Sequence, residues 1–193
     1  MTTYTVGYLV GSLSRESINR TLSKALIRLA PPSLTFTEIG IGNLPLYNRD
    51  LDASYPPAAL ELKAAIEAAD AVLFITPEYN RSLPGALKNA LDWASRPWGA
   101  NSLTHKPSGV IGASPGALGT ALAQQSLRGV LAFCNAPQMT APEAYIHFLP
   151  DVFLEDGTVA NESTEEFLRT YMQEFADFVE RVHTILPQRR GQG

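Results

Sequence analysis

Short apolar segments alternate with longer segments whose apolar residues recur every three or four positions along most of the chain. The short segments, bounded by Gly and Pro, are typical of β-strands, and the longer ones are typical of amphipathic α-helices. Strands are therefore predicted at residues 4–10, 34–39, 71–75, 109–113 and 138–141. Helices are predicted at residues 18–29, 58–69, 85–95, 117–133 and 165–185. This alternation favours an α/β fold with a doubly wound parallel sheet.

The segment 71–75 is apolar at every position, as expected for a central parallel strand that is covered on both faces. In such sheets a ligand lies beyond the carboxyl ends of the strands, near the point where the strand order reverses. The loops after the first, third and fourth predicted strands are therefore the candidate site.

Length and composition limit the class of protein. The 193 residues correspond to one domain of ordinary size, and we predict a single domain over residues 1–187 with a frayed tail at 188–193. The 45% hydrophobic content excludes a disordered chain. The net charge is −4, and there is no dense Lys/Arg run, so nucleic-acid binding is not expected. No apolar stretch approaches the roughly 20 residues of a membrane span.

Cysteine and histidine content argues against a metal site. Cys134 is the one cysteine in the sequence, which excludes an internal disulfide and fits a reducing compartment. His105, His147 and His183 are far apart and form no ligand spacing with carboxylates. We therefore expect a cytoplasmic protein without a bound metal.

The loop after the first strand combines hydroxyl groups with a helix start. Its candidate phosphate ligands are Ser12, Ser14, Ser17 and the backbone N–H groups near Ile18 and Asn19. A helix N-terminus favours an anion, although Ser and Asn are also common N-caps. Neither G-x-G-x-x-G nor G-x-x-x-x-G-K-[ST] occurs in the chain. The loop thus suits a single terminal phosphate, such as that of FMN, better than a pyrophosphate.

The loop after the third strand carries the most specific motif. Residues 77–93 read Pro-Glu-Tyr-Asn-x-Ser-x-Pro-Gly-x-Leu-Lys-Asn-Ala-x-Asp-Trp, and residues 11–19 read Gly-Ser-Leu-x-x-x-Ser-x-Asn. Taken alone, the loop after the third strand is equally consistent with a segment that caps a helix and packs between subunits. Together, the two motifs and the order of the elements from Tyr4 to about Val182 resemble the flavodoxin-like NADPH-dependent FMN reductases. That family includes bacterial chromate/quinone reductases and related azoreductases.

The resemblance implies a flavodoxin-like three-layer sandwich whose five-stranded parallel sheet has the order 2-1-3-4-5. It implies that the FMN phosphate is surrounded by Ser12, Ser14, Ser17, Ile18 and Asn19. It also implies that the isoalloxazine ring is lined by Pro77, Glu78, Tyr79 and Asn80, with Ser114 and Gly116 as a third wall. Gly119 would likewise allow the backbone to approach the ring. Many relatives carry Arg at the position of Ser14, and here the adjacent Arg15 could supply that charge.

The activity implied by the resemblance is an FMN-dependent NAD(P)H oxidoreductase. NADPH or NADH would reduce the flavin, and two electrons would pass to a small acceptor such as a quinone, an azo compound, free flavin or chromate. The flavin supplies the chemistry, so no catalytic acid or base is expected in the protein. Relatives are commonly homodimers or homotetramers, which would place Arg81, Leu87 and Leu91 against a partner subunit.

Two other functions fit parts of the sequence. A flavodoxin-type electron carrier would also bind FMN but would meet only protein partners; a strongly acidic surface would favour it, and −4 is modest. Residues 112–116 read Gly-Ala-Ser-Pro-Gly, the G-x-S-x-G pattern of serine hydrolases, with Ser114 followed by Asp151 or Asp156 and by His183. Pro115 argues against a hydrolase, because it lacks the N–H that would donate to the oxyanion, a loss of about 3–4 kcal/mol.

Overall fold

The computed structural model describes residues 2–186. The strands are β1 (Tyr4–Val10), β2 (Leu34–Glu38), β3 (Ala71–Ile75), β4 (Ser108–Ser114) and β5 (Tyr145–His147). The helices are α1 (Ile18–Leu29), α2 (Pro57–Ala68), α3 (Gly85–Ala94), α4 (Ala121–Phe133) and α5 (Glu162–Ile185), and a 3-10 turn spans Arg49–Leu51. The tail predicted at residues 188–193 lies outside the described residues, so the domain boundary at 187 stays a prediction.

All five strands are parallel and form one sheet in the order β2-β1-β3-β4-β5, which confirms the predicted fold. The chain passes from β1 outward to β2 and then returns to the other side of β1 for β3. This reversal creates the topological switch point at which doubly wound folds bind ligands. In the register, Val10 lies opposite Ile75, and Ile75 lies opposite Ile111, so the loops after β1 and β3 leave the sheet at one level.

Each face of the sheet is covered by its own apolar layer. On one face, α1 and α5 pack against the strands through residues such as Leu22, Leu26 and Phe175. On the other face, α2, α3 and α4 contribute residues such as Ile66, Trp93 and Leu127. The sheet is therefore the middle of three layers, and β3 is buried at every position, as its uninterrupted apolar run predicted.

Tyr171 of α5 illustrates how a polar group is accommodated in this core. Its hydroxyl is fully buried and donates a hydrogen bond to the backbone oxygen of Val110 at 2.9 Å. Burial raises the pKa of Tyr171 far above its usual value, so the hydroxyl stays protonated and acts as a donor.

The last strand differs from the prediction. Residues 138–141 make only a bridge from Gln138 to Ser108 at the start of β4, and the strand that pairs with the end of β4 is Tyr145–His147. The chain thus meets β4 twice, and the longer pairing comes at the later contact. Sequence periodicity cannot distinguish two such short segments.

Two helices begin three or four residues away from the predicted positions. Helix α4 begins at Ala121 rather than 117, because Gly119 and Thr120 both have left-handed backbone, with φ of +51° and +71°. Helix α5 begins at Glu162 rather than 165, because Asn161 caps it and accepts a hydrogen bond from the N–H of Thr164 at 2.9 Å.

Within residues 2–186, no helix combines the length and the apolar character needed to cross a bilayer. The same residues contain no cluster of His, Cys, Asp and Glu that could hold a metal ion.

Candidate functional site

The loops that follow β1, β3 and β4 surround a cleft of about 210 Å³ at the carboxyl edge of the sheet. Its walls are formed by Ser12, Ser14 and residues 16–19, by residues 77–79, and by residues 113–115. The structure therefore brings the predicted site residues together, except for Asn80 and Gly116, each of which is next to a wall residue. Glu16, Ala113 and Pro115 also line the cleft but were not predicted, and their only signal in the sequence is that they adjoin predicted residues.

Ser17 carries a buried hydroxyl without a partner. The residue is 7% exposed, and its Oγ makes no hydrogen bond within the described part of the chain. Ser17 occupies the N-cap position of α1, but its side chain makes no capping bond. Burying an unpaired hydroxyl costs about 1–3 kcal/mol, and a bound acceptor would recover that cost.

Two backbone N–H groups next to Ser17 are also available to a ligand. The backbone N–H groups of Ile18 and Asn19 belong to the first turn of α1 and have no partner among residues 2–186. Ser12 is buried beside them and accepts a long hydrogen bond of 3.4 Å from the N–H of Ser14. These hydroxyl and N–H groups could hold one phosphate without any cationic side chain.

Arg15 does not line this cleft. It is exposed and lies in a separate depression along α1, together with Arg20 and Lys24. The wall residues described for the cleft include no Lys or Arg. That depression adjoins the cleft, because Glu16 and Ser17 line both. The role that Arg15 could have in place of a charge at position 14 stays a prediction.

Glu78 uses its carboxylate to cap another helix. One of its oxygens accepts hydrogen bonds from the N–H groups of Leu122 at 3.0 Å and Ala123 at 3.2 Å, in the first turn of α4. The other oxygen lies 3.5 Å from the guanidinium of Arg81. The carboxylate is thus oriented by groups of the protein itself, and the backbone groups of Glu78 are the ones that its contacts leave for a ligand in the cleft.

The segment 79–82 is a tight turn. Tyr79 and Ser82 exchange two backbone hydrogen bonds of 3.0 Å each, and Asn80 and Arg81 between them have φ of +50° and +63°. Two successive left-handed residues define a type I′ turn. The turn holds the half-exposed ring of Tyr79 at the rim of the cleft.

The third wall is held by local hydrogen bonds. Ser114 Oγ accepts from the N–H of Gly116 at 3.1 Å, and His147 Nε2 lies 3.1 Å from the oxygen of Pro115. A Cβ at Gly116 would meet only Ser114 Oγ, at 3.5 Å, so its packing within this chain does not require glycine. A Cβ at Gly119 would lie 2.4 Å from the carbonyl carbon of Tyr145. Gly119 is therefore required by the packing of β5, and its expected role beside the ring stays a prediction.

The arrangement of Ser114 and His183 excludes a hydrolase triad. Ser114 ends β4 at the carboxyl edge of the sheet, whereas His183 Nε2 bonds the oxygen of Asp70 at 3.0 Å. The ring of His183 also stacks on that of Tyr4, with 5.1 Å between the ring centroids. Tyr4 and Asp70 both lie at the amino edge of the sheet. The histidine and the serine are thus at opposite ends of the sheet.

Two residues predicted to contact a partner subunit are core residues. Leu87 and Leu91 of α3 are buried in this chain's own apolar layer, so those two predictions are wrong. Their faces were misassigned because a run of helix-forming residues does not show which side meets the sheet. Arg81, the third residue of that prediction, is exposed.

Comparison with known proteins agrees with this geometry. Residues 4–151 match the sequence model of the NADPH-dependent FMN reductase family. The chain is 47% identical to a 2-hydroxy-1,4-benzoquinone reductase from a Burkholderia species, over 90% of this chain and 95% of that protein. It is 45% identical to a quinone reductase from Pseudomonas putida, over 91% of this chain and 95% of that protein.

A solved structure is also similar. The flavoenzyme NAD(P)H:(acceptor) oxidoreductase from Paracoccus denitrificans is 48% identical and superposes with a TM-score of 0.90, covering 93% of this chain and 98% of that one. The family match spans all three loops of the cleft and all five strands of the sheet. This chain therefore belongs to the NADPH-dependent FMN reductase family.

Proposed function

We propose that this protein is an FMN-dependent NAD(P)H:quinone oxidoreductase. The observation that carries the proposal is the buried, unpartnered hydroxyl of Ser17, which lies beside two free N–H groups at the start of α1 and lines the cleft. A phosphate accepts hydrogen bonds from all of these groups, whereas a nicotinamide dinucleotide held in Rossmann style needs a glycine pattern that the loop lacks.

FMN fits the cleft as follows. Its phosphate would accept hydrogen bonds from Ser12, Ser14, Ser17 and the N–H groups of Ile18 and Asn19. Its ring would lie against the backbone of Pro77, Glu78, Tyr79 and Asn80, with Ser114 and Gly116 on a third side. Backbone groups are the natural partners of the ring, because the Glu78 carboxylate and the Asn19 amide are already hydrogen-bonded within the protein.

When bound, FMN would supply the redox chemistry, in which two electrons pass from NADH or NADPH as a hydride and then on to an acceptor. The protein would orient the two substrates in turn at one open face of the flavin. Quinones are the acceptors that the names of the Burkholderia and Pseudomonas relatives indicate. Azo compounds, free flavin and chromate are further candidates for the same open face.

We further propose a homodimer or homotetramer. Among the described residues, four large apolar side chains are strongly exposed in the single chain, namely Leu46 at 83%, Trp98 at 81%, Ile185 at 74% and Phe133 at 71%. Covering them in an assembly would remove apolar surface from water. We also propose a cytoplasmic location, which would supply NAD(P)H and keep the buried Cys134 reduced.

An anaerobic titration tests the proposed function. The purified protein, loaded with FMN, should be bleached stoichiometrically by NADH or NADPH, and a neutral quinone should restore its colour over many turnovers. A protein that binds no FMN would overturn the proposal. A protein that binds FMN but does not react with NADH or NADPH would instead be an electron carrier.

A further inference from the structure

The side chain of Asn19 pairs with a single residue of β4 through both of its polar atoms. Its Nδ2 donates a hydrogen bond to the backbone oxygen of Ala113 at 2.9 Å, and its Oδ1 accepts one from the N–H of Ala113 at 2.9 Å. Asn19 is 1% exposed, so no water competes for these bonds. The amide thus satisfies both backbone hydrogen-bonding groups of Ala113, as a neighbouring strand otherwise would.

This pairing fills a gap in the sheet. The backbone oxygen of Ile111 accepts a hydrogen bond from the N–H of Thr76, just after the end of β3, whereas Ser114 faces β5 and bonds Phe148. Alternate residues of a parallel strand face the same neighbour, so Ala113 faces the side of β3. There β3 has already ended at Ile75, so no strand continues beside Ala113 on that side.

Asn19 thereby joins two walls of the cleft. Its backbone N–H lies in the first turn of α1, among the donors for a phosphate. Ala113 directly precedes Ser114, which lines the opposite wall beside the ring-side loop. A shift of this contact would change the distance between the two ends of the cleft.

We infer that Asn19 is a positioning residue, which sets the ring wall at Ser114 relative to the phosphate donors of α1 and is not itself a phosphate ligand through its side chain. This inference rests on the proposed function, because it assumes that FMN occupies the cleft. If Asn19 has this role, loss of its amide weakens binding of the flavin ring as well as binding of the phosphate.

Binding of FMN and of riboflavin, which lacks the phosphate, separates the two effects. We expect Asn19→Leu, in the apoprotein, to raise the dissociation constants of FMN and riboflavin alike, by about tenfold or more. Ser17→Ala should raise the constant for FMN and leave that for riboflavin unchanged. Both constants are measured by quenching of flavin fluorescence.

Gln124→Leu is the matched control for general damage to the core. Gln124 is fully buried and donates to Thr120 Oγ1 and to the oxygen of Ala144, but it does not line the cleft. The Gln124→Leu substitution should lower the melting temperature of the apoprotein without changing the dissociation constant of FMN or of riboflavin. A positioning role requires that Asn19→Leu exceed this control in its effect on binding.

Several outcomes would overturn the inference. An unchanged riboflavin constant in Asn19→Leu would return Asn19 to the phosphate site, and equal effects in Asn19→Leu and Gln124→Leu would reduce it to a general core residue. If Asn19→Leu does not fold, Asn19→Asp, which keeps the size and the acceptor, carries the same test. Failure of both to fold, with Gln124→Leu folded, would also overturn it. If wild-type protein binds no FMN, the proposed function fails instead.

Discussion

Glu78 accepts a hydrogen bond from the backbone N–H of Leu122 at 3.0 Å, across 44 residues of sequence. Helix α4 needs this contact, because its own N-cap residue, Thr120, has left-handed backbone and makes no capping bond with its side chain. The loop after β3 thus supplies the cap for α4, the helix that connects β4 to β5. The rim of the cleft and the start of α4 are held as one unit.

Removing this cap should destabilise the apoprotein. We expect Glu78→Ala to lower the free energy of unfolding by about 1–2 kcal/mol, since two N–H groups lose their acceptor. Glu78→Gln, which keeps an acceptor but loses the charge at the helix start, should cost about 0.5–1 kcal/mol. Urea unfolding measures both, and Glu16→Gln is the control, because Glu16 is exposed. Equal stability of Glu78→Ala and wild type would contradict the capping role.

Ser17→Ala should separate stability from binding. The hydroxyl has no partner in the protein, so its removal should leave the apoprotein as stable as wild type or slightly more stable. The affinity for FMN should fall by about 1 kcal/mol or more, roughly fivefold to tenfold, if the hydroxyl bonds the phosphate. Thermal melting and flavin titration are the two measurements. A loss of about 1 kcal/mol of stability with unchanged affinity would make Ser17 an ordinary N-cap.

The two glycines after β4 should respond differently to alanine. Gly119→Ala places a Cβ 2.4 Å from a backbone carbon at φ +51°, so we expect little folded protein. Gly116→Ala meets only ordinary contact and should change the free energy of unfolding by less than about 0.5 kcal/mol. If the ring packs on this backbone, Gly116→Ala will still weaken FMN binding. Normal folding of Gly119→Ala would show that β5 can shift to accommodate it.

Ser114 should be dispensable for turnover. Its Oγ accepts from the N–H of Gly116, and His183 lies at the opposite edge of the sheet. We expect Ser114→Ala to retain most of the NAD(P)H oxidation with a quinone acceptor. Steady-state kinetics test this, with hydrolysis of a p-nitrophenyl ester as the parallel assay. If the wild type had esterase activity and Ser114→Ala lost it, Ser114 would be a catalytic nucleophile and this prediction would be wrong.

The charge of the cleft should distinguish acceptors. Glu16 and Glu78 line it, Arg81 offsets Glu78, and the FMN phosphate would add further negative charge. An anionic acceptor such as chromate is therefore repelled, and kcat/KM for chromate should rise with salt, because the screening length is about 10 Å at 0.1 M. A neutral benzoquinone is the control and should show little salt dependence. If kcat/KM for chromate fell as salt was added, the cleft would attract anions and the predicted repulsion would be wrong.

Local spacing was enough to predict most of the fold. The alternation of apolar strands with amphipathic helices, and the wholly apolar run of β3, determine which segments can be buried on one or both faces. The strand order and the placing of three loops at one edge follow from that alternation together with the family resemblance. The final strand was missed, because 138–141 and 145–147 are both very short and it is their contacts with β4 that tell them apart.

The sequence by itself determined which residue types reach the cleft, because each loop follows directly from its strand and its members are neighbours along the chain. Only the tertiary structure decided what those side chains do there. The Asn19 amide meets Ala113 across 94 residues, the Glu78 carboxylate meets α4 across 44, and Leu87 turns into the core. Such pairings depend on how helices and strands pack against one another, and a local pattern of hydrophobic and polar residues carries no record of a partner so far along the chain.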